Sequence, residues 1–196
     1  MSDTPARPIK TSLTHPLPIA VIVTPGGGRI GMTLCPGKRQ PNAITGPWDR
    51  DLKRDLDAIV AFGAKSLITL MEADELAAAR VPADILEPAV RNSGLTWHHW
   101  PIVDLAAPDA RFERAWKAEA GAIQRRLVDG GNIVLHCRGG RGRSGLVAAR
   151  LLIELGVKPE DAIAAARAAQ PLAMETAAQE SHIRAYRPTL SDRHGP

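Results

Sequence analysis

Two hydrophobic periodicities alternate along the chain. Short apolar runs, bounded by glycine or proline, predict buried strands, and longer segments with apolar residues at helical spacing predict amphipathic helices. The runs that predict strands are residues 17–23, 29–34, 66–70, 95–101 and 132–136. The segments that predict helices are residues 48–62, 72–80, 84–92, 109–129, 144–155, 159–169 and 176–186. This alternation predicts an α/β layer architecture.

Turn and cap residues refine these boundaries. A glycine triplet at residues 26–28 joins the first two strands, which predicts a β-hairpin. Asp49 is the expected N-cap of the first helix, and Gly63 is expected to end it. No linker is long enough to divide the chain, so we expect one domain over residues 15–187, with flexible termini at residues 1–14 and 188–196.

Composition excludes several classes of protein. The 196 residues are 44% hydrophobic and 23% charged, which is typical of a globular domain. The two cysteines, Cys35 and Cys137, cannot form a disulfide framework, and they fit a reducing compartment. The N-terminus lacks the apolar core of a signal peptide, and the apolar runs are too short to cross a bilayer. We therefore expect a cytoplasmic protein without stable membrane insertion.

The positive charge of the chain favours an anionic ligand. The formal net charge is +4 and the isoelectric point about 9.4, which steers anions toward a binding site. Arginines cluster in one loop instead of along an exposed helix, and no nucleic-acid-binding signature is present. We therefore expect no nucleic-acid partner.

That arginine-rich loop, residues 136–144, carries the strongest chemical signal. It joins the last predicted strand to a helix N-terminus, where unpaired N–H groups and the helix dipole favour an anion. Glycines let successive N–H groups turn inward around a tetrahedral oxyanion, and Arg143 can clamp two of its oxygens. The same field favours the nucleophilic thiolate of Cys137. The predicted phosphate-binding residues are Arg138, Gly139, Gly140, Arg141, Gly142 and Arg143. Phosphate, sulfate or vanadate is expected to bind there.

Two other interpretations of this loop are weaker. Gly140, Gly142 and Gly145 match the G-x-G-x-x-G fingerprint of dinucleotide-binding proteins. That fingerprint requires a second parallel strand about 20 residues on, whereas a second helix is predicted here. A buried cysteine on a plain glycine turn is the other alternative, and the surrounding arginines argue against it.

A second loop, residues 103–108 with the residue that follows, offers a general acid. Cleavage of a phosphate ester needs a proton donor on the leaving oxygen, approaching from the side opposite the thiolate. Asp104 and Asp109 are both candidates. Asp109 precedes a helix and fits an N-cap, whereas Asp104 has no such structural role. Asp104 is therefore the preferred acid.

These residues resemble the dual-specificity phosphatases among the cysteine-dependent protein phosphatases. Their signature His-Cys-x5-Arg-Ser/Thr matches His136, Cys137, Arg143 and Ser144, and the run ending at Asp104 resembles their acid loop. The resemblance implies a single-domain cysteine-phosphatase fold, with a central mixed sheet flanked by helices. It implies a phosphocysteine intermediate formed on Cys137, with no cofactor and no metal. Asp104 would be the general acid, Ser144 would stabilise the departing thiolate, and His136 would lie beneath the loop.

Three further positions have competing interpretations. Gln179 resembles a family glutamine that places the hydrolytic water or supports the catalytic loop, and it also fits a capping box with Thr176. His98 and His99 are neighbours on a strand, so their side chains face opposite sides and cannot share a metal ion. Cys35 is expected to be a plain thiol of the core or of a loop.

The substrate remains open between a phosphorylated protein and a phosphorylated small molecule. Arg138 and Arg141 add positive charge that suits a polyphosphorylated ligand, such as an inositol phosphate or phosphoinositide. A non-catalytic phosphate-recognition module is the remaining alternative. It is disfavoured because the cysteine, the arginine and the acid are all present.

Overall fold

A mixed five-stranded sheet lies at the centre of the protein. The computed structural model describes residues 7–43 and 45–189. In spatial order the strands are β1 (Ala20–Val23), β2 (Arg29–Leu34), β7 (Asn132–Cys137), β5 (Ala64–Thr69) and β6 (Thr96–His99). β1 runs antiparallel to β2, and the other neighbours are parallel. The predicted α/β class and mixed sheet are confirmed. Two short strands, β3 (Arg39–Gln40) and β4 (Trp48–Asp49), form a separate antiparallel pair.

Seven helices within the described residues cover the two faces of the sheet. They are α1 (Leu52–Ala61), α2 (Ala73–Ala78), α3 (Ala83–Asn92), α4 (Ala110–Val128), α5 (Gly142–Glu154), α6 (Pro159–Ala169) and α7 (Ala177–Ala185). Successive side chains of a strand point to opposite faces. In β7, Ile133 and Leu135 therefore pack into one core with residues of α4 to α7, while Val134 packs into the other with residues of α1 and α3. This central strand is thus fixed from both sides.

The start of the first helix differs from the prediction. α1 begins at Leu52 instead of residue 48, and its N-cap is Asp51, whose carboxylate accepts a hydrogen bond from Arg54 N at 2.7 Å. Asp49 is not the cap, because it lies in β4 opposite Arg39. Pairing with a partner strand has overridden the local capping signal. The predicted end at Gly63 is confirmed by its left-handed φ of 84°.

The hairpin of the first two strands forms as predicted, although β1 is shorter. β1 starts at Ala20 because Pro16 and Pro18, which precede it, lack the N–H that a ladder requires. α5 starts at Gly142, two residues before the predicted start, and α6 follows it without an intervening strand. The order helix–helix excludes the dinucleotide-binding interpretation of the glycine pattern.

The N-terminal segment contacts the domain where we expected a flexible terminus. Lys10 N donates to Pro47 O at 2.9 Å, and Asp49 N donates to Lys10 O at 3.1 Å. Ser12 is buried, and its Oγ accepts from Asp51 N at 2.9 Å. Residues 10–12 therefore belong to the folded unit. Of the two termini expected to be flexible, residues 1–6 and 190–196 lie outside the described residues.

Two classes of feature are absent from the described part of the chain. No helix in residues 7–43 or 45–189 is long and apolar enough to cross a membrane. In the same ranges, no three His, Cys, Asp or Glu side chains are grouped so that they could hold a metal ion. As predicted, His98 and His99 face opposite sides: His98 Nδ1 lies 2.6 Å from Glu119, and His99 Nε2 lies 2.8 Å from Met71 O.

Candidate active site

The cysteine lies at the end of the central strand. Cys137 is the last residue of β7, opposite Leu34 of β2, and the following loop leads into the N-terminus of α5. Parallel strands open their carboxyl ends toward loops that build binding sites. The Cys137 side chain is almost fully buried, yet it lines a cavity of about 410 Å³. The strand–loop–helix arrangement predicted for residues 136–144 is therefore present.

Two glycines of the loop region are required by close packing. Gly140 has a left-handed φ of 68°, and a Cβ there would lie 2.4 Å from the backbone of Thr33. A Cβ on Gly145 would lie 2.4 Å from Ala173 Cβ. Without a side chain at Gly140, the loop packs closely against the end of β2. Without one at Gly145, α5 packs closely against the segment before α7. The G-x-G-x-x-G pattern is thus explained by packing.

Arg143 is held by a carboxylate that the sequence pattern did not indicate. The Glu75 carboxylate on α2 accepts two hydrogen bonds from the Arg143 guanidinium, at 2.5 Å and 3.1 Å. Arg143 also donates to Ile102 O at 3.1 Å. Burial alone raises the pKa of Glu75, but hydrogen bonds from Arg143 and the backbone hold this pKa below its ordinary value. Glu75 therefore fixes the plane of the arginine fork as a charged carboxylate.

Removing Glu75 is expected to destabilise the protein. In Glu75→Ala the guanidinium of Arg143, 2% exposed, loses its main counter-ion, which costs about 3 kcal/mol of unfolding free energy. The folded carboxyl has a lowered pKa, so its contribution is present at neutral pH and lost as pH falls through that value. Urea unfolding at several pH values measures this. Glu87→Ala, which breaks the exposed pair with Arg91, is the matched control and should change stability by less than about 1 kcal/mol. Equal losses in the two variants would contradict the assignment.

The two candidate acids occupy different positions. Asp104 lies over the loop: its Oδ1 is 3.0 Å from Arg143 Nη2, and its Oδ2 is 3.9 Å from Arg138 Nη1. Asp109 is the N-cap of α4, where it accepts from the backbone N–H groups of Arg111 and Phe112. The hydrogen bond from the Arg111 side chain lowers the pKa of Asp109. The predicted capping role of Asp109 is confirmed, and Asp104 is the one that meets the Cys137 loop.

His136 and Ser144 flank the loop below and behind it. His136 is fully buried, and its Nε2 lies 2.7 Å from Thr69 Oγ1, which also accepts from Trp97 Nε1 at 2.8 Å. Burial lowers the pKa of His136 to about 3, so the imidazole is neutral. The Ser144 hydroxyl is buried and makes no hydrogen bond to any described residue. It makes no hydrogen bond to the Cys137 sulfur in this structure, so its role toward the thiolate stays a prediction.

Gln179 connects three segments of the site. As expected for a cap, Thr176 Oγ1 accepts from Gln179 N at 3.2 Å. The Gln179 side chain accepts from Glu175 N at 2.9 Å and donates to Ala106 O in the acid loop at 3.3 Å. Glu175 in turn accepts from Gly142 N at 3.2 Å. The Thr176 cap is therefore formed, but the capping box with Gln179 is not, because the Gln179 side chain accepts from Glu175 N instead of Thr176 N. Its bond to Ala106 O links it to the acid loop.

The loop arginines differ in their partners. Arg138 is exposed, and it donates to Glu75 Oε1 at 3.1 Å. Arg141 lines the cavity, and its guanidinium forms no ion pair with a carboxylate of the described residues. Much of the remaining wall consists of residues near the β3–β4 pair, which are Lys38, Gln40, Asn42, Ala43, Thr45 and Trp48. None of these was identified from the sequence.

The two cysteines have different surroundings. Cys35 is completely buried, and burial raises its pKa to about 12. It is therefore a neutral thiol at physiological pH, as expected for a plain buried cysteine. Cys137 alone of the two lines the cavity with Arg143 and Asp104.

Comparisons with known proteins agree with this geometry. A family model described as "PTP-SAK: Swiss Army Knife protein, DSP-PTPase phosphatase domain" matches residues 40–194. Cyclin-dependent kinase inhibitor 3 of Homo sapiens is 30% identical over 145 residues, and that of Rattus norvegicus is 29% identical over 145 residues. Each alignment covers 72% of this chain and 66% of the relative, so the chain spans just under two thirds of their length.

A solved structure is similar over most of its length. It is a crystal structure of kinase-associated phosphatase in which the catalytic-site cysteine is substituted by serine. The TM-score is 0.75 at 25% sequence identity, and the match covers 90% of this chain and 97% of that one.

Proposed function

The chain belongs to the dual-specificity phosphatases of the DSP-PTPase family, whose members are cysteine-based enzymes, and from this we propose that it hydrolyses phosphomonoesters on phosphorylated protein side chains. The observation that carries the proposal is the meeting of Asp104 with Arg143. The acid loop and the first turn of α5 place a carboxylate and a guanidinium 3.0 Å apart on the cavity that Cys137 lines. We assign the catalytic domain to residues 10–189, wider than the predicted 15–187, because Lys10, Ser12 and Thr189 bond to the folded unit.

In the first step, the Cys137 thiolate attacks phosphorus and the bond from phosphorus to the leaving oxygen breaks. Arg143 and the remaining loop N–H groups stabilise the negative charge on the equatorial oxygens. The Gly142 N–H, which we predicted to bind phosphate, instead donates to Glu175 at 3.2 Å in this structure. Asp104, protonated, transfers its proton to the leaving oxygen. A dephosphorylated side chain leaves, and a phosphocysteine remains.

In the second step, a water molecule hydrolyses the phosphocysteine. Asp104, now a carboxylate, accepts a proton from the water as the water oxygen attacks phosphorus. The sulfur–phosphorus bond breaks, inorganic phosphate forms, and the Ser144 hydroxyl donates to the departing thiolate. His136, neutral and bonded to Thr69, supports the strand end from below and takes no proton. No cofactor or metal enters either step.

The conditions of action follow from the same chemistry. A thiolate nucleophile needs a reducing compartment, so we assign the protein to the cytoplasm. A cationic loop at a helix N-terminus suits a tetrahedral oxyanion, so phosphate, sulfate or vanadate should bind there, and we expect no nucleic-acid partner.

A direct assay tests the proposal. The wild-type protein should hydrolyse an aryl phosphate and phosphotyrosine, phosphothreonine and phosphoserine peptides in the presence of EDTA, with inhibition by vanadate. Protection of Cys137 from alkylation by phosphate, without hydrolysis of any of these substrates, would instead identify a phosphate-recognition module.

One observation favours a second substrate class. Arg141 lines the cavity with a charge that no described carboxylate neutralises, and this suits a second phosphate on an inositol phosphate or phosphoinositide. Adding soluble inositol phosphates and phosphoinositides to the peptide panel distinguishes the two. If kcat/KM is at least tenfold higher for these ligands than for every phosphopeptide, the substrate class is the phosphorylated inositols and not phosphoproteins.

A further inference from the structure

Lys38 is a buried lysine that neither catalytic step uses. It lies between β2 and β3, and only 5% of its surface is exposed. Its side chain lines the same cavity as Cys137, and its Nζ donates a hydrogen bond to Arg138 O at 3.2 Å. Arg138 directly follows Cys137 in the phosphate-binding loop. A buried cation on the backbone of this loop needs an explanation.

The hydrogen bond fixes one peptide plane of the cradle. The carbonyl of Arg138 and the N–H of Gly139 belong to the same planar peptide, and in a trans peptide they point in opposite directions. A donor that holds the carbonyl on the Lys38 side directs the Gly139 N–H to the other side. An oxyanion cradle requires its carbonyls outward and its N–H groups inward. Lys38 therefore fixes the plane of the Arg138–Gly139 peptide, the second peptide after Cys137.

Lys38 is itself held by a rigid neighbourhood. Its backbone donates to Cys35 O at 3.4 Å and accepts from Arg50 N at 3.2 Å. Its Nζ lies 5.1 Å from the centre of the Trp48 ring, within the range of cation–π attraction. Arg50 and Asp55 form a buried bidentate ion pair next to this ring, with both distances 2.8 Å. The ammonium is therefore positioned before any substrate binds.

The charge of Lys38 lies on the cavity that Cys137 lines. Among the described residues, no carboxylate forms an ion pair with it. Burial lowers the pKa of Lys38, whereas the nearby Cys35 and Cys137 thiols oppose that effect. A cation in a site of low dielectric stabilises an anion more strongly than it would in water.

We propose that Lys38 is a positioning residue of the phosphate-binding loop, which orients the Arg138–Gly139 peptide and adds a positive charge to the cavity that Cys137 lines. This rests on the proposed phosphatase function of the same loop.

The ionisable groups around Cys137 come from several elements. They are Cys35 and Lys38 after β2, Glu75 on α2, Asp104 in the acid loop, His136 on β7, Arg138 and Arg141 in the loop, Arg143 on α5, and Glu175 before α7. Lys38 is the cation among them that also contacts the loop backbone.

The test measures Cys137 without turnover. Lys38→Met is compared with wild type in the rate of alkylation of Cys137 by iodoacetamide from pH 5 to 9, read by mass spectrometry. This reagent is neutral, so loss of a cation does not change its attraction to the site. We expect the alkylation rate of Lys38→Met at pH 6 to be about tenfold lower than that of wild type. The reason is that its curve of rate against pH should lie about one pH unit toward higher pH. The dissociation constant for inorganic phosphate, measured by calorimetry, should rise about tenfold.

Matched variants keep the experiment decisive. Lys53→Met removes an exposed lysine on α1 and should leave both readouts unchanged. Lys38→Arg retains the charge and should recover most of the alkylation rate, whereas Lys38→Gln, which retains a donor only, should not. If Lys38→Met fails to fold, the comparison of Lys38→Arg with Lys38→Gln still tests the role of the Lys38 charge. Equal alkylation rates at pH 6 in the Gln and Arg variants, or in Lys38→Met and wild type, would overturn the proposal. Hydrolysis of aryl phosphate by wild type tests the phosphatase function separately.

Discussion

Cys137→Ser should abolish measurable turnover and retain binding of phosphate. A serine hydroxyl at this position has nearly the shape of the thiol, but it does not ionise at neutral pH, so no nucleophile forms. The cradle of N–H groups and Arg143, which Glu75 holds, remain in place. We expect kcat to fall by at least about 10⁴-fold. Initial rates on an aryl phosphate and calorimetry with inorganic phosphate measure the two properties.

Cys35→Ser is the control for this variant. Cys35 is completely buried and its pKa is raised to about 12, so it contributes no thiolate. The Cys35 variant should keep its turnover within about threefold, provided that it folds. Residual hydrolysis in purified Cys137→Ser at the wild-type rate would exclude the phosphocysteine mechanism.

Asp104→Ala should lower kcat by about 10²- to 10⁴-fold, the usual contribution of a positioned acid. The loss should be largest for phosphoserine and alkyl phosphates, whose leaving groups need the proton most. It should be smallest for aryl phosphates with acidic phenols. Asp104 is partly exposed, and its ion pair with Arg143 is backed by Glu75, so the stability of the variant should change little. A plot of log kcat against leaving-group pKa should therefore steepen in the variant.

Asp109→Ala separates catalysis from capping in the same region. Loss of the N-cap of α4 should cost about 1 kcal/mol of unfolding free energy, with little change in kcat. If Asp109→Ala shows the leaving-group-dependent loss and Asp104→Ala does not, the roles of the two aspartates are reversed.

Features set by short-range sequence were predictable. The loop after β7 follows from a buried strand, glycines and a helix start within a dozen residues, and these local signals agree with each other. The choice between Asp104 and Asp109 was also local, because a residue that caps a helix is recognisable from its neighbours. The resemblance to a phosphatase family then added roles for His136, Ser144 and Gln179.

Features set by tertiary packing were not predictable. Glu75 contacts Arg143 across 68 positions of sequence, and Lys38 contacts Arg138 across 100. Each lies in a segment whose local pattern has another explanation: Glu75 forms a capping box at the start of α2, and Lys38 follows a Pro-Gly turn. Tertiary pairing also explains why the start of α1 was predicted too early. Residues 48 and 49 pair with β3 as strand β4 instead of forming the first turn of the helix.

The β3–β4 hairpin has a consequence for how this protein can diversify. Cys137 ends the central strand and Arg143 lies in the first turn of α5, whereas much of the cavity wall comes from a hairpin paired through only two residue pairs. Loops on a rigid scaffold tolerate change better than the scaffold does. Residues 40–45 can therefore vary in length and composition while the reaction chemistry stays intact. Selection acting on this segment would alter the choice of substrate separately from the rate of the chemical step, so paralogues should diverge there first, and a grafted hairpin is the natural route to engineered selectivity.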